Sequence, residues 1–181
     1  MFNIKSKLLK AKQKGLTAIE ISIFVVVFII LAGMAFGVYQ VFDSSNRISS
    51  SAKNLQSLGG GLQNAFSSQG DYTGVNAQVA INLGIPDRSM ISGTTLRNAW
   101  QGSVTIASAG GSSADITFAN VARNECAKFV NTSESLFHRI TVGGTAVKDF
   151  QAGSPLGTVA LANACSSGAG AVTTIVFTLG L

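Results

Sequence analysis

Charge is scarce in this chain. Lys, Arg, Asp and Glu make up 12% of its 181 residues, against about 25% in ordinary soluble domains. The residues AVILMFWYC reach 46%, so disorder sustained by high charge and low hydrophobicity is excluded. Histidine occurs once and cysteine twice, and two cysteines on their own supply too few ligands for a zinc centre. The excess of basic residues is local: Lys5, Lys7, Lys10, Lys12 and Lys14 stand in the first fourteen positions with no acidic residue among them. Without them eight basic residues face eight acidic ones. A chain neutral beyond its tail has no broad basic surface for counterion-driven nucleic-acid binding. Its length suits one globular head and a tail rather than two enzyme domains.

What is abundant is apolar sequence in one place. Residues 21–42, ISIFVVVFIILAGMAFGVYQVF, carry no charge over 22 positions, about 33 Å as an α-helix and enough to span a bilayer. A cleaved secretory signal would have an apolar region of about 7–15 residues ending at a small-residue site, and neither condition fits. Lysines before the span and Asp43 after it predict a cytoplasmic N-terminus, with the chain beyond residue 43 exported. Inside the span, Gly33 and Gly37 form a small-xxx-small pair, which allows close helix approach or marks a bend.

Glu20 stands between Ile19 and Ile21 at the edge of this apolar run, where a carboxylate is costly unless partnered or shallow. Two readings apply. Thr17 and Glu20 have the spacing of a capping box, in which the acid satisfies N–H groups of a first helical turn. Alternatively, Lys14-Gly15-Leu16-Thr17-Ala18-Ile19-Glu20 followed by an unbroken apolar helix resembles the processing site of type IV prepilins.

That resemblance implies cleavage between Gly15 and Leu16 by a prepilin peptidase, N-methylation of Leu16, and a mature chain of 166 residues. A fifteen-residue leader and Leu16 as the new first residue resemble the type IVb branch, which includes toxin-coregulated, bundle-forming and conjugative thin pili. Ala18 departs from the larger aliphatic common there. The family implies an α+β roll: a cleaved basic leader (1–15), a transmembrane and filament-core helix (16–42), an amphipathic helix half (43–67) and a globular head (68–181). It also implies a structural, non-enzymatic subunit that polymerises with itself, with an assembly platform and ATPase and minor pilins as further partners. Such a subunit passes from the inner membrane to an extracellular pilus on a Gram-negative cell, for adhesion, aggregation or conjugative contact. In this mechanism the Leu16 ammonium of one subunit neutralises Glu20 of its neighbour and sets axial register. Alternatives are a minor pilin or type II secretion pseudopilin, and a membrane-anchored periplasmic binding module that never polymerises.

Beyond Asp43, Ile48, Ala52, Leu55, Leu58, Leu62 and Phe66 recur at helical spacing, predicting a helix to about residue 67. Gly59-Gly60-Gly61 would cost about 3 kcal/mol inside it, so a break is expected as an option there. A phosphate loop would need a preceding strand and a closing Gly-Lys-Ser/Thr, both missing. Residues 68–98 read as a surface loop with a short helix around residues 79–85. Residues 104–107, 116–118, 137–142, 147–150 and 172–179 read as strands of an antiparallel sheet lying on the apolar helix stripe, and residues 121–130 and 161–165 as helices. In the oxidising compartment that the family occupies, Cys126 and Cys165 are expected to pair rather than remain free thiols, enclosing the variable region 127–164. His138 stands alone with no nucleophile motif, Trp100 reads as a core or subunit-contact residue, and Asp71, Asp87, Asp115 and Asp149 lack metal-site spacing. Neither a catalytic residue, a cofactor nor a metal is expected.

Overall fold

The computed structural model describes residues 18–168 and 170–181, leaving aside the side chains of residues 18 and 34–41. In chain order it contains α1 (Ala18–Phe66), α2 (Ala77–Asn82), β1 (Ile91–Ser92), β2 (Thr95–Arg97), β3 (Ser103–Gly110) and β4 (Ser113–Ala122). These are followed by α3 (Arg123–Ser133), β5 (Arg139–Val142), β6 (Thr145–Asp149), α4 (Thr158–Ser166) and β7 (Val172–Gly180). The seven strands form one antiparallel sheet of order β1-β2-β3-β4-β7-β5-β6. The last strand therefore inserts between β4 and β5, so the head closes only when its C-terminal segment is in place.

Residues 1–42 and 43–181 are two separate compact units. In the second, the α1 stripe predicted from periodicity is the core: Ile48, Ala52, Leu55, Leu58, Leu62 and Phe66 are all buried. Facing it, alternate residues of the long strands point inward, Ile116 and Phe118 from β4 and Ile175, Phe177 and Leu179 from β7. This is the period-two pattern of a sheet with one buried face. Phe129 of α3 packs on Phe118, Phe177 and Trp100 with ring centroids 5.4, 5.5 and 5.1 Å apart, in tilted and edge-on arrangements that aromatic quadrupoles favour.

The glycine triplet does not break α1. A Cβ on Gly59 would stand 2.6 Å from Leu136 Cδ2, and one on Gly61 would collide with Ile85, whereas one on Gly60 meets nothing within 4 Å. Gly59 and Gly61 are thus contact surfaces whose helix cost is offset by close packing of segments from elsewhere in the head. Gly60 has no such role, so Gly60→Ala is expected to raise stability by about 1 kcal/mol, measured by chemical unfolding.

Three local readings need correction. The loop predicted over residues 68–98 includes a hairpin, β1 with β2, too short and too polar for an alternating signal; only Leu96 of it is deeply buried. The helix predicted from residue 121 starts at Arg123, because Val121 and Ala122 still pair with Thr173 and Val172 of β7. The strand predicted over 137–142 starts only at Arg139, leaving Phe137 and His138 outside β5, and that predicted over 147–150 is shifted to Thr145–Asp149, leaving Phe150 outside β6.

Asn98 anchors the turn before β3. It is 6% exposed; its Nδ2 donates to the Ala119 carbonyl at 2.7 Å, and its Oδ1 accepts from the N–H groups of Trp100 and Gly102 at 3.0 and 2.9 Å. All this requires Gly102 to lie against the chain: a Cβ there would land on the Ala119 carbonyl oxygen. Gly102→Ala is expected to cost about 3 kcal/mol, because the obstacle is backbone that cannot swing away. The same unfolding measurement checks it.

Candidate assembly surface

The N-terminal unit exposes what a soluble protein would bury. From Ile19 to Leu31 the large apolar side chains of α1 are 47–73% exposed on every side of the helix, and a helix apolar all round belongs in a protein core or in lipid. Glu20 sits in the first turn of α1 and is exposed. A carboxylate there complements the partial positive charge of a helix N-terminus. Thr17, the other half of the capping-box reading, lies outside the described residues, as do Gly15 and Leu16. Among the described residues no helix is long and apolar enough to cross a membrane; the expected segment 16–42 includes residues 16–17 and the side chains of 34–41, which fall outside them.

In the head, Cys126 and Cys165 form a disulfide with Cα atoms 5.8 Å apart. It ties α3 to α4, and both sulfur-bearing residues are buried. Arg123, at the start of α3, reinforces the junction from the other side. Its Nη1 donates to the carbonyls of Cys165, at 3.2 Å, and Ser167. A guanidinium there satisfies orphan carbonyls at the α4 C-terminus and meets the negative end of the helix dipole. Nothing in the sequence singled out Arg123, since its partners are backbone atoms more than forty positions away.

The other polar residues considered as sites have structural partners. Trp100 Nε1 donates to Glu125 Oε2 at 2.5 Å, which places a 7%-exposed carboxylate against the aromatic cluster with a donor to satisfy it. Thr73 and Ser89 backbone N–H groups donate to Asp71 and Asp87, at 2.8 Å in each case; hydrogen bonding from Thr73, backbone and side chain, and from Ser89, side chain and backbone, holds the two carboxyls below their ordinary pKa. Asp115 accepts from Thr178, and Asp149 pairs with Arg139. Among the described residues no group of three His, Cys, Asp or Glu could hold a metal ion.

A family model described as PilS N terminal matches residues 45–180, three quarters of the chain. The chain belongs to the PilS family. Its head is similar to the crystal structure of TcpA, a type IV pilin from the El Tor biotype of Vibrio cholerae. The TM-score is 0.55 at 18% identity, covering 74% of this chain and 98% of that one. It is also similar to a type IVb pilin from Salmonella typhi, with TM-score 0.54 at 18% identity, covering 71% and 97%. At that identity the likeness is one of fold, and the fold is that of type IVb pilins. No curated protein sequence matches. Pilins are structural subunits rather than enzymes, and they polymerise into extracellular pili on the cell surface.

Proposed function

We propose that the chain is the major subunit of a type IVb pilus. A peptidase cuts between Gly15 and Leu16 and methylates Leu16, the helix of residues 16–42 holds the subunit in the inner membrane, and an assembly machine then extracts it into the growing filament. The observation that carries this reading is the helix unit itself, apolar and exposed on all sides from Ile19 to Leu31 with a carboxylate in its first turn. In a bilayer the apolar surface meets lipid. In a filament core it meets the same surface of neighbouring copies, so extraction exchanges one apolar environment for another at small net cost. The Glu20 carboxylate does not make that exchange alone: a new α-ammonium at Leu16 of an adjacent copy neutralises it when subunits are in register, and a misplaced subunit leaves two charges in apolar surroundings.

Glycine at position 15 suits the scissile bond because it enters a tight cleft in extended form without a Cβ. Gly15→Trp is expected to leave full-length precursor in the membrane and to abolish filaments, while Gly15→Ala has the smaller effect; immunoblots of membrane and sheared fractions read both. Normal filaments from the tryptophan variant would contradict the processing step. Abundance of the chain in sheared filaments tests the major-subunit assignment, since a minor pilin or pseudopilin would be scarce there.

A further inference from the structure

The outer face of the sheet carries a row of polar side chains linked across four strands. The register aligns Asp115 of β4 with Thr178 of β7, Thr178 with Arg139 of β5, and Arg139 with Asp149 of β6. Cross-strand partners share a face, and the neighbours of Thr178, Phe177 and Leu179, point into the core, so this row faces away from the helices. Its members are tied together: Thr178 Oγ1 donates to Asp115 Oδ1 at 2.7 Å, Arg139 Nε lies 3.6 Å from Asp149 Oδ2, and Asp149 Oδ1 accepts from the Ala152 N–H at 3.1 Å. A hollow of about 430 Å³ opens over Asp115, Thr178 and Arg139, and His138 and Gln151 join it to a second of about 300 Å³ floored by Phe150. Both are within the range of small-molecule sites, about 300–1,000 Å³.

Phe150 is 74% exposed, yet its backbone is fixed. Its N–H donates to the His138 carbonyl at 2.8 Å, while the His138 N–H donates to the Thr178 carbonyl at 3.2 Å. The ring therefore stands at the second hollow as a positioned apolar face open to a ligand.

From this geometry we infer that the groove is a binding site for a neutral sugar. The lining sets one carboxylate, Asp115, against one guanidinium, Arg139, which Asp149 already pairs from outside the hollow, so an anionic ligand gains no net attraction. The polar walls disfavour a purely apolar ligand. A pyranose matches what remains. Its vicinal hydroxyls both donate and accept, as the sequence of Asp115, Thr178 and Arg139 with His138 and Gln151 demands, and its C–H face lies on the Phe150 ring. Asp115 is oriented by Thr178 through one oxygen and offers the other to a sugar hydroxyl. Because the site lies wholly in the head, it does not depend on polymerisation. If the chain does polymerise, every subunit carries a copy, and a weak single site becomes an avid surface.

The test is saturation-transfer NMR on the full-length protein in phosphocholine micelles, which contain no sugar. The probes are methyl β-D-galactopyranoside, methyl α-D-mannopyranoside and methyl N-acetyl-β-D-glucosaminide, with N-acetylneuraminic acid as the anionic comparator. Transfer to the ring C–H protons of at least one neutral glycoside is expected. Phe150→Ala and Asp115→Asn should each weaken that binding about two- to tenfold, and Val159→Ala, exposed but outside the groove, should leave it unchanged. Three outcomes would overturn the assignment: no transfer to any neutral probe, transfer only to the anionic sugar, or transfer undiminished in both groove variants.

Discussion

Glu20→Gln is expected to reduce the yield of sheared surface filaments at least about tenfold while leaving the amount of processed subunit in the membrane unchanged. The substitution keeps the side chain's shape and removes its charge, so helix packing is preserved and only the electrostatic partner of the Leu16 ammonium is lost. Placing one uncompensated charge among apolar helices costs several kcal/mol, and about 1.4 kcal/mol at each addition step is already a tenfold loss in the equilibrium constant. Glu20→Asp keeps the charge on a shorter arm and should recover part of the yield. If the carboxylate served only the helix start, the glutamine would cost about 1 kcal/mol of local helix stability and filaments would form almost normally.

Replacing Cys126 and Cys165 together by alanine is expected to destabilise the head by about 4 kcal/mol, from the chain entropy of a closed loop whose ends are 39 positions apart. In a head of this size that lowers the melting temperature by roughly 8–16 °C. Each single substitution should cost nearly as much as the pair, since either one opens the loop, and near-UV circular dichroism melts of the full-length protein in detergent measure all three. The effect should reach beyond the two cysteines: without the bond, α4 is held by Arg123 and by the burial of Leu161 and Ala164, and the α3–α4 junction is expected to be the first place to open. Melting of all three variants at the temperature of the unsubstituted protein, itself unchanged by reductant, would show that packing alone holds that junction.

The parts of this fold that were legible in the sequence are those governed by one local periodicity. The α1 stripe from Ile48 to Phe66 is buried at every expected position, and each of the five apolar runs overlaps a strand, with boundaries off by up to four residues. The disulfide followed from cysteine count and compartment. What stayed illegible depends on distant partners. The Gly59-Gly61 triplet reads as a helix breaker until Leu136 and Ile85 are found occupying the space a side chain would need. The β1–β2 hairpin has only five strand residues, and its place is set by pairing with β3. The outer polar row joins positions 115, 139, 149 and 178 through register, and Asp115 and Asp149 therefore read as scattered single acids. Trp100 was legible as a core or subunit-contact residue and packs half-buried against the core, but its bond to Glu125 was not legible, because the turn that aims it is organised by the buried Asn98.

On the proposed function, proteolysis creates the charged N-terminus by which the apolar helix assembles. Intact-mass and N-terminal fragment analysis of the chain recovered from cell-surface filaments tests it directly. A single species of 166 residues beginning at an N-methylated Leu16 is expected. A surface chain that begins at Met1 with its lysine-rich leader intact would contradict it.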